Sequence, residues 1–100
     1  MQDEMSNAEE LSSATILVRG RVQGVYFRRF TVENAQKLSL TGFAQNLPDG
    51  RVRVVAEGKA SSIQKLIDFL NIGPALADVE DVSVEWTEAT SEYSDFSIRR

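Results

Sequence analysis

The chain has 100 residues, of which 42% are hydrophobic, and this suffices for one domain with a single core. It contains no Cys and no His, which excludes disulfides, thiol nucleophiles, zinc sites of the usual kind and any Ser-His or Cys-His pair. The net charge of −4 belongs to residues 1–13, because the rest of the chain has 11 basic and 11 acidic residues. No apolar run is long enough to span a membrane and no basic residue precedes one at the N-terminus, so a cytoplasmic protein without a membrane contact is expected.

The first 13 residues, MQDEMSNAEELSS, are acidic and polar without an apolar period. They predict a disordered tail at 1–13 ahead of one domain at 14–100. The domain opens with ATILVRGRV, whose alternating apolar residues predict a strand with one buried face. Apolar residues spaced i, i+3, i+4 and i+7 then predict a helix from Phe27 to about Leu38.

Two short strands follow, joined by the turn Leu47-Pro48-Asp49-Gly50, in which Pro presets φ and Gly supplies a positive φ. A second helix is predicted after a capping box of Ser61 and Gln64, and Gly73-Pro74 ends it. An alternating strand and a short C-terminal strand complete the chain. Three aromatic residues are expected in the core: Phe30, Phe69 and Trp86.

This order of elements, β-α-β-β-α-β with a short fifth strand at the C-terminus, predicts an α+β fold. It is the ferredoxin-like sandwich, in which two helices cover one face of an antiparallel sheet. Because this fold carries many unrelated functions, function has to be argued from a site.

The stretch GRVQGVYFRR, Gly20 to Arg29, offers a candidate site at the junction of the first strand and the first helix. Backbone N–H groups in such a turn, followed by a helix N-terminus, form an anion site. Arg28 would lie in the first helical turn, where a cation opposes the helix dipole unless an anion binds nearby. An ordinary turn with a surface Arg explains the same residues, and turn chemistry alone explains Asn46.

The sequence resembles the acylphosphatase family over roughly residues 14–100. Two signatures carry the resemblance: VRGRVQGVYFR at residues 18–28, and Gly42-Phe43-Ala44-Gln45-Asn46 followed by Gly50, Val52 and Gly58 at the family's spacing. The resemblance implies an enzyme that hydrolyses the carboxyl-phosphate bond of acyl phosphates, with no metal and no cofactor. It implies Arg28 and Asn46 as catalytic residues, and a phosphate-binding loop acting through backbone N–H groups at Gln23, Gly24, Val25, Tyr26 and Phe27, with Arg28 beside it.

Acyl phosphates suit a chain without His, because their carboxylate leaving group departs without a general acid. The expected partners are therefore a small-molecule acyl phosphate and inorganic phosphate, bound by a monomer. Three alternatives stay open: the accessory domain of larger hydrogenase-maturation proteins, a ligand-sensing regulatory domain, and a single-strand RNA-binding module. The absence of a second domain argues against the first two. The third lacks aromatic residues in RVRVVAEG and has a neutral body, so no nucleic acid is expected.

Overall fold

The computed structural model describes residues 10–100 and contains two helices and one five-stranded sheet. In chain order the elements are β1 (Leu11–Arg21), α1 (Phe27–Lys37), β2 (Thr41–Asn46), β3 (Val52–Lys59), α2 (Ala60–Ile72), β4 (Asp78–Glu88) and β5 (Phe96–Arg99). The strands lie in the order β4-β1-β3-β2-β5. The predicted ferredoxin-like sandwich is confirmed.

The core lies between the sheet and the two helices, as the alternation in the sequence predicts. Ile16 and Val18 of β1 lie opposite Val54 and Val52 of β3, and all four side chains are fully buried. Helix α1 buries Phe27, Thr31 and Ala35, while α2 buries Ile63, Leu66, Ile67 and Leu70. Each set repeats at the helical period and faces the sheet.

The sheet differs from the predicted antiparallel arrangement at one edge. β5 runs parallel to β2, with Phe96 beside Gly42 and Ile98 beside Ala44, while the other three pairs of neighbouring strands are antiparallel. β4 and β5 lie at opposite edges. The segment 89–95 therefore crosses the end of the sheet before β5 begins, and this crossing sets the direction of β5.

Glu57 of β3 anchors that crossing segment. The residue is 5% exposed, and its carboxylate accepts hydrogen bonds from the backbone N–H and hydroxyl of Thr90, at 2.8 and 2.9 Å, and from the N–H of Ser91 at 3.0 Å. Burial raises the pKa of Glu57, but these hydrogen bonds together outweigh burial, so the pKa lies below the usual value for a glutamate.

Three local expectations need correction. β1 begins at Leu11, because residues 11–13 pair with β3 and the last two of them also pair with β4; residues 1–9 of the expected tail lie outside the described residues. The second helix begins at Ala60 and its N-cap residue is Lys59, so Ser61 lies inside the helix and is not the N-cap residue that the predicted capping box requires. Trp86 and Phe69 are exposed. Trp86 lies near the end of an edge strand, and Phe69 lies outside the buried stripe of α2, which consists of Ile63, Leu66, Ile67 and Leu70.

Within residues 10–100, neither helix has the length and apolar character needed to cross a bilayer.

Candidate active site

A cavity of about 440 Å³ opens at the end of the sheet where β1 and β2 finish and α1 begins. Its lining contains both predicted catalytic residues and three members of the predicted loop. The lining residues are Val22, Gly24, Tyr26, Phe27, Arg28, Arg29, Asn46 and Ile98. Residues from two separate signatures of the sequence therefore meet at one site.

The loop between β1 and α1 makes two left-handed turns of the backbone. Gly24 has φ 73°, and a Cβ at this position would meet no atom within 4 Å, so the glycine is required by the backbone conformation and not by crowding. Tyr26, the N-cap residue of α1, has φ 63°. The flanking side chains of Val25 and Phe27 are buried in the core and anchor the loop to it.

The N-terminus of α1 faces the cavity without a side-chain cap. The first helical hydrogen bond runs from the N–H of Phe30 to the carbonyl of Tyr26, at 2.9 Å. The N–H groups before Phe30 thus have no partner within the helix. Such groups, together with the positive end of the helix dipole, bind anions.

Gln23 does not line the cavity but joins its two sides. Its side-chain amide donates hydrogen bonds to the carbonyl oxygens of Leu47, at 2.8 Å, and Arg51, at 2.9 Å. These two residues enclose the β2–β3 turn, which is closed by a bond from the N–H of Leu47 to the carbonyl of Arg51. No pattern in the sequence predicts these two bonds, since their partners are separated by 24 and 28 positions along the chain.

The turn is further held by Asp49 and Arg51. The Asp49 carboxylate accepts bonds from the backbone N–H of Arg51 at 3.0 Å and from its guanidinium Nε at 2.9 Å. The side-chain bond to Arg51 is the main reason that the pKa of Asp49 lies below its usual value. The carbonyl groups that Gln23 binds are therefore part of an ordered turn.

Two arginines line the cavity, and they differ in their partners. Arg29 Nε lies 3.1 Å from the carboxylate of Glu33, one turn along α1, with most of its side chain exposed. Arg28 is half-buried, and within residues 10–100 it forms no ion pair or side-chain hydrogen bond. Arg19 and Arg51 also have acidic partners, Glu80 and Asp49. Three of the seven basic residues between Arg19 and Arg53 thus have acidic partners, whereas Arg28 at the cavity remains available to an anion.

Asn46 is the last residue of β2 and lies on the same face of the sheet as Ala44, towards α1. Its Oδ1 atom is buried and has no hydrogen-bond partner in the described part of the chain. Buried polar atoms nearly always have a partner, so an unpaired acceptor at a cavity wall requires an explanation. A ligand or an ordered water that donates a hydrogen bond would provide it.

A ferredoxin-like sandwich with a helix N-terminus, an unpaired guanidinium and an unpaired amide oxygen around one cavity defines an anion-binding protein of the α+β class. Residues 14–98 match the family model "Acylphosphatase". The chain belongs to the acylphosphatase family, whose members are hydrolases that cleave the carboxyl-phosphate bond of acyl phosphates to carboxylate and inorganic phosphate, and it catalyses this reaction.

Known proteins of similar sequence and structure agree with this assignment. An acylphosphatase from Methanococcoides burtonii is 53% identical over 96 residues, which cover 96% of this chain and all of that protein. The crystal structure of acylphosphatase from Bacillus subtilis superposes with a TM-score of 0.86 at 36% identity, over 89% of this chain and 99% of that one. Full-length HypF, in a phosphate- and nucleotide-bound form, matches with a TM-score of 0.83 at 32% identity; the match covers 91% of this chain but 12% of HypF.

Proposed function

We propose that the loop at residues 23–27 and Arg28 hold the phosphate of the acyl phosphate, and that Asn46 orients the attacking water. One observation carries the proposal. Asn46, whose Oδ1 is buried and unpaired in the described part of the chain, lines the same cavity as Arg28, which has no acidic partner within residues 10–100. In the reaction, the substrate phosphate can pair with the guanidinium of Arg28, and the attacking water can donate an O–H group to the amide oxygen of Asn46.

The reaction does not require a general acid or base from the protein. The water oxygen attacks phosphorus, the bond between phosphorus and the acyl oxygen breaks, and the electron pair leaves with the carboxylate. Because the carboxylic acid has a pKa of about 4, no general acid is needed at the leaving oxygen. A proton of the water passes to a phosphate oxygen, so that no histidine is required.

The remaining task is to stabilise negative charge and to position the water. Phosphoryl transfer passes through a loose transition state with charge on three equatorial oxygens. The N–H groups at the start of α1 and the planar guanidinium of Arg28 are donors matched to such oxygens. Fixed donors of this kind lower the barrier because they need no reorganisation during the reaction.

We propose that hydrolysis needs neither a metal nor a cofactor. The side chains that line the cavity supply an amide oxygen and no carboxylate, whereas Mg²⁺ and Ca²⁺ prefer carboxylate ligands. We further propose a monomer. A cytoplasmic location is proposed because a chain without Cys gains nothing from an oxidising compartment.

The test is hydrolysis of benzoyl phosphate, followed by its loss of ultraviolet absorbance, with and without EDTA and with Arg28→Ala in parallel. Rapid hydrolysis by the wild type in EDTA, and a loss of about 10²–10³-fold in Arg28→Ala, are expected. A fully active Arg28→Ala protein would refute the role of Arg28, and loss of wild-type activity in EDTA would refute the metal-free mechanism.

A further inference from the structure

The cavity has an apolar side that the phosphate chemistry does not use. Tyr26 and Ile98 line it, and they are 77% and 44% exposed. Single exposed apolar side chains are common on protein surfaces. Here two of them, from the loop before α1 and from the edge strand β5, lie at the same cavity as the proposed phosphate site.

Neither the backbone nor the core accounts for an aromatic residue at position 26. Tyr26 has φ 63° and ψ 25°, a left-handed conformation that disfavours most side chains and that Gly or Asn adopts with less strain. The ring is also the most exposed of the large hydrophobic side chains within residues 10–100. The ring is therefore largely open to solvent at the edge of the cavity, where it is free to contact whatever the cavity holds.

Ile98 reaches the cavity through the register of β5. Ile98 and Phe96 lie on the same face of the sheet, next to Ala44 and Gly42 of β2. Phe96 is buried in the core, whereas Ile98 is two residues closer to the cavity and remains exposed beside it. The end of β5 thus adds an apolar side chain next to Asn46.

We propose that Tyr26 and Ile98 bind the acyl group, and that the preferred substrates are acyl phosphates with an aromatic or branched apolar acyl group. The proposal rests on the proposed function, which places the phosphate at the loop and Arg28. Attack in line requires the leaving carboxylate to lie opposite the water, so the acyl group extends away from the phosphate. A cavity of about 440 Å³ lies in the range that holds whole small molecules, roughly 300–1,000 Å³.

The contact would act mainly on binding. An aromatic acyl group gains by removing apolar surface from water and by packing against the ring of Tyr26, and this contact is the same in the ground state and the transition state. Uniform binding of this kind lowers KM and leaves kcat unchanged. An acetyl group, with a single methyl, gains little from it.

The experiment compares benzoyl phosphate with acetyl phosphate in Tyr26→Asn and Ile98→Ala. Asn tolerates the left-handed backbone and lacks the ring, so the loop keeps its shape. We expect KM for benzoyl phosphate to rise roughly three- to tenfold relative to KM for acetyl phosphate in each variant. Ile98→Ala, which leaves the phosphate-binding loop untouched, should also keep kcat nearly unchanged and KM for acetyl phosphate within about twofold of the wild type. Tyr26→Phe, which keeps the ring, should keep the wild-type ratio of the two KM values.

The matched control is Ile72→Ala, which removes another exposed aliphatic side chain, on α2 and outside the cavity, and should change neither KM. Equal losses for benzoyl and acetyl phosphate in both Tyr26→Asn and Ile98→Ala would overturn the proposal while the proposed function stands. If Arg28→Ala hydrolysed acyl phosphates as fast as the wild type, the proposed function would be refuted instead.

Discussion

The side-chain amide of Gln23 donates a hydrogen bond of 2.8 Å to the carbonyl oxygen of Leu47, the residue that follows Asn46. Gln23 belongs to the loop between β1 and α1, and Leu47 begins the turn between β2 and β3. The bond joins the part of the site proposed to hold the phosphate to the part proposed to hold the water. Their separation is thus fixed by a side chain as well as by the sheet.

Gln23→Leu should lower both stability and turnover. Losing the bonds to Leu47 and Arg51 should cost about 1–2 kcal/mol of the free energy of unfolding, and a displaced Asn46 should reduce kcat by about tenfold. Urea unfolding and steady-state kinetics measure the two effects. The control is Gln64→Leu, which removes an exposed bond to Asp68 on α2 and should change stability by less than about 0.5 kcal/mol. Unchanged kcat in Gln23→Leu would show that the bonds serve stability alone.

Arg28 should show opposite effects on activity and on stability. Arg28→Ala should lose about 10²–10³-fold in kcat/KM and bind inorganic phosphate more weakly. Its free energy of unfolding should also be about 0.3–1 kcal/mol higher than that of the wild type, because a cation in the first turn of α1 opposes the helix dipole. Phosphate inhibition, kinetics and urea unfolding test all three effects.

Arg28→Lys and Arg29→Ala are the informative comparisons for Arg28. A lysine keeps the charge but cannot form two parallel bonds to phosphate oxygens, so Arg28→Lys should remain well below the wild type. Arg29 is paired with Glu33, and Arg29→Ala should lose less than about tenfold in kcat/KM, as expected for a largely exposed ion pair. A larger loss in Arg29→Ala than in Arg28→Ala would reverse the assignment.

Asn46 should matter for turnover and little for phosphate binding. Asn46→Ala should lower kcat by about 10²–10³-fold, the usual effect of losing one preorganised polar group. Inhibition by inorganic phosphate should stay near the wild type, because Arg28 and the loop are intact. Removing a buried oxygen that has no partner should not destabilise the protein through a lost hydrogen bond. A fully active Asn46→Ala enzyme would contradict its role in orienting the water.

The sequence predicted the parts of the fold that depend on local periodicity. The alternation around Ile16 and Val54 and the helical period from Phe27 each reflect burial of one face, and both are confirmed. The parallel edge strand could not be predicted, because its direction depends on how the segment 89–95 crosses the sheet. The same holds for Phe43, which is buried on the outer face of the sheet under the guanidinium of Arg99, 3.7 Å from its ring centroid.

The candidate site could be predicted only in part. Periodicity and turn chemistry left both Arg28 and Asn46 open to ordinary explanations, and the resemblance to acylphosphatases brought them together. The bonds of Gln23 were missed because its sequence signature suggested a backbone role. The availability of Arg28 was also invisible in the sequence, since partners can come from distant positions, as Glu80 does for Arg19, 61 residues away.

Glu57 offers a test of stability at the end of the sheet far from the cavity. Its carboxylate holds Thr90 and Ser91 of the crossing segment, and its pKa in the folded protein lies below the usual glutamate value of 4.5. A lowered pKa means that the unfolded chain binds the proton more readily. The stabilising contribution is therefore complete above pH 4.5 and decreases as the pH falls through the pKa of the folded protein.

Glu57→Gln should lose about 2 kcal/mol of the free energy of unfolding at pH 7, the usual contribution of hydrogen bonds to a charged acceptor. Urea unfolding at pH 7 and pH 3 should show a smaller difference between wild type and variant at pH 3, because protonation weakens the same bonds in the wild type. Hydrolysis at pH 7 under conditions where both proteins are folded should be unaffected, since Glu57 does not line the cavity. A difference in stability that is the same at both pH values would mean that the charge of Glu57 contributes nothing to holding the crossing segment.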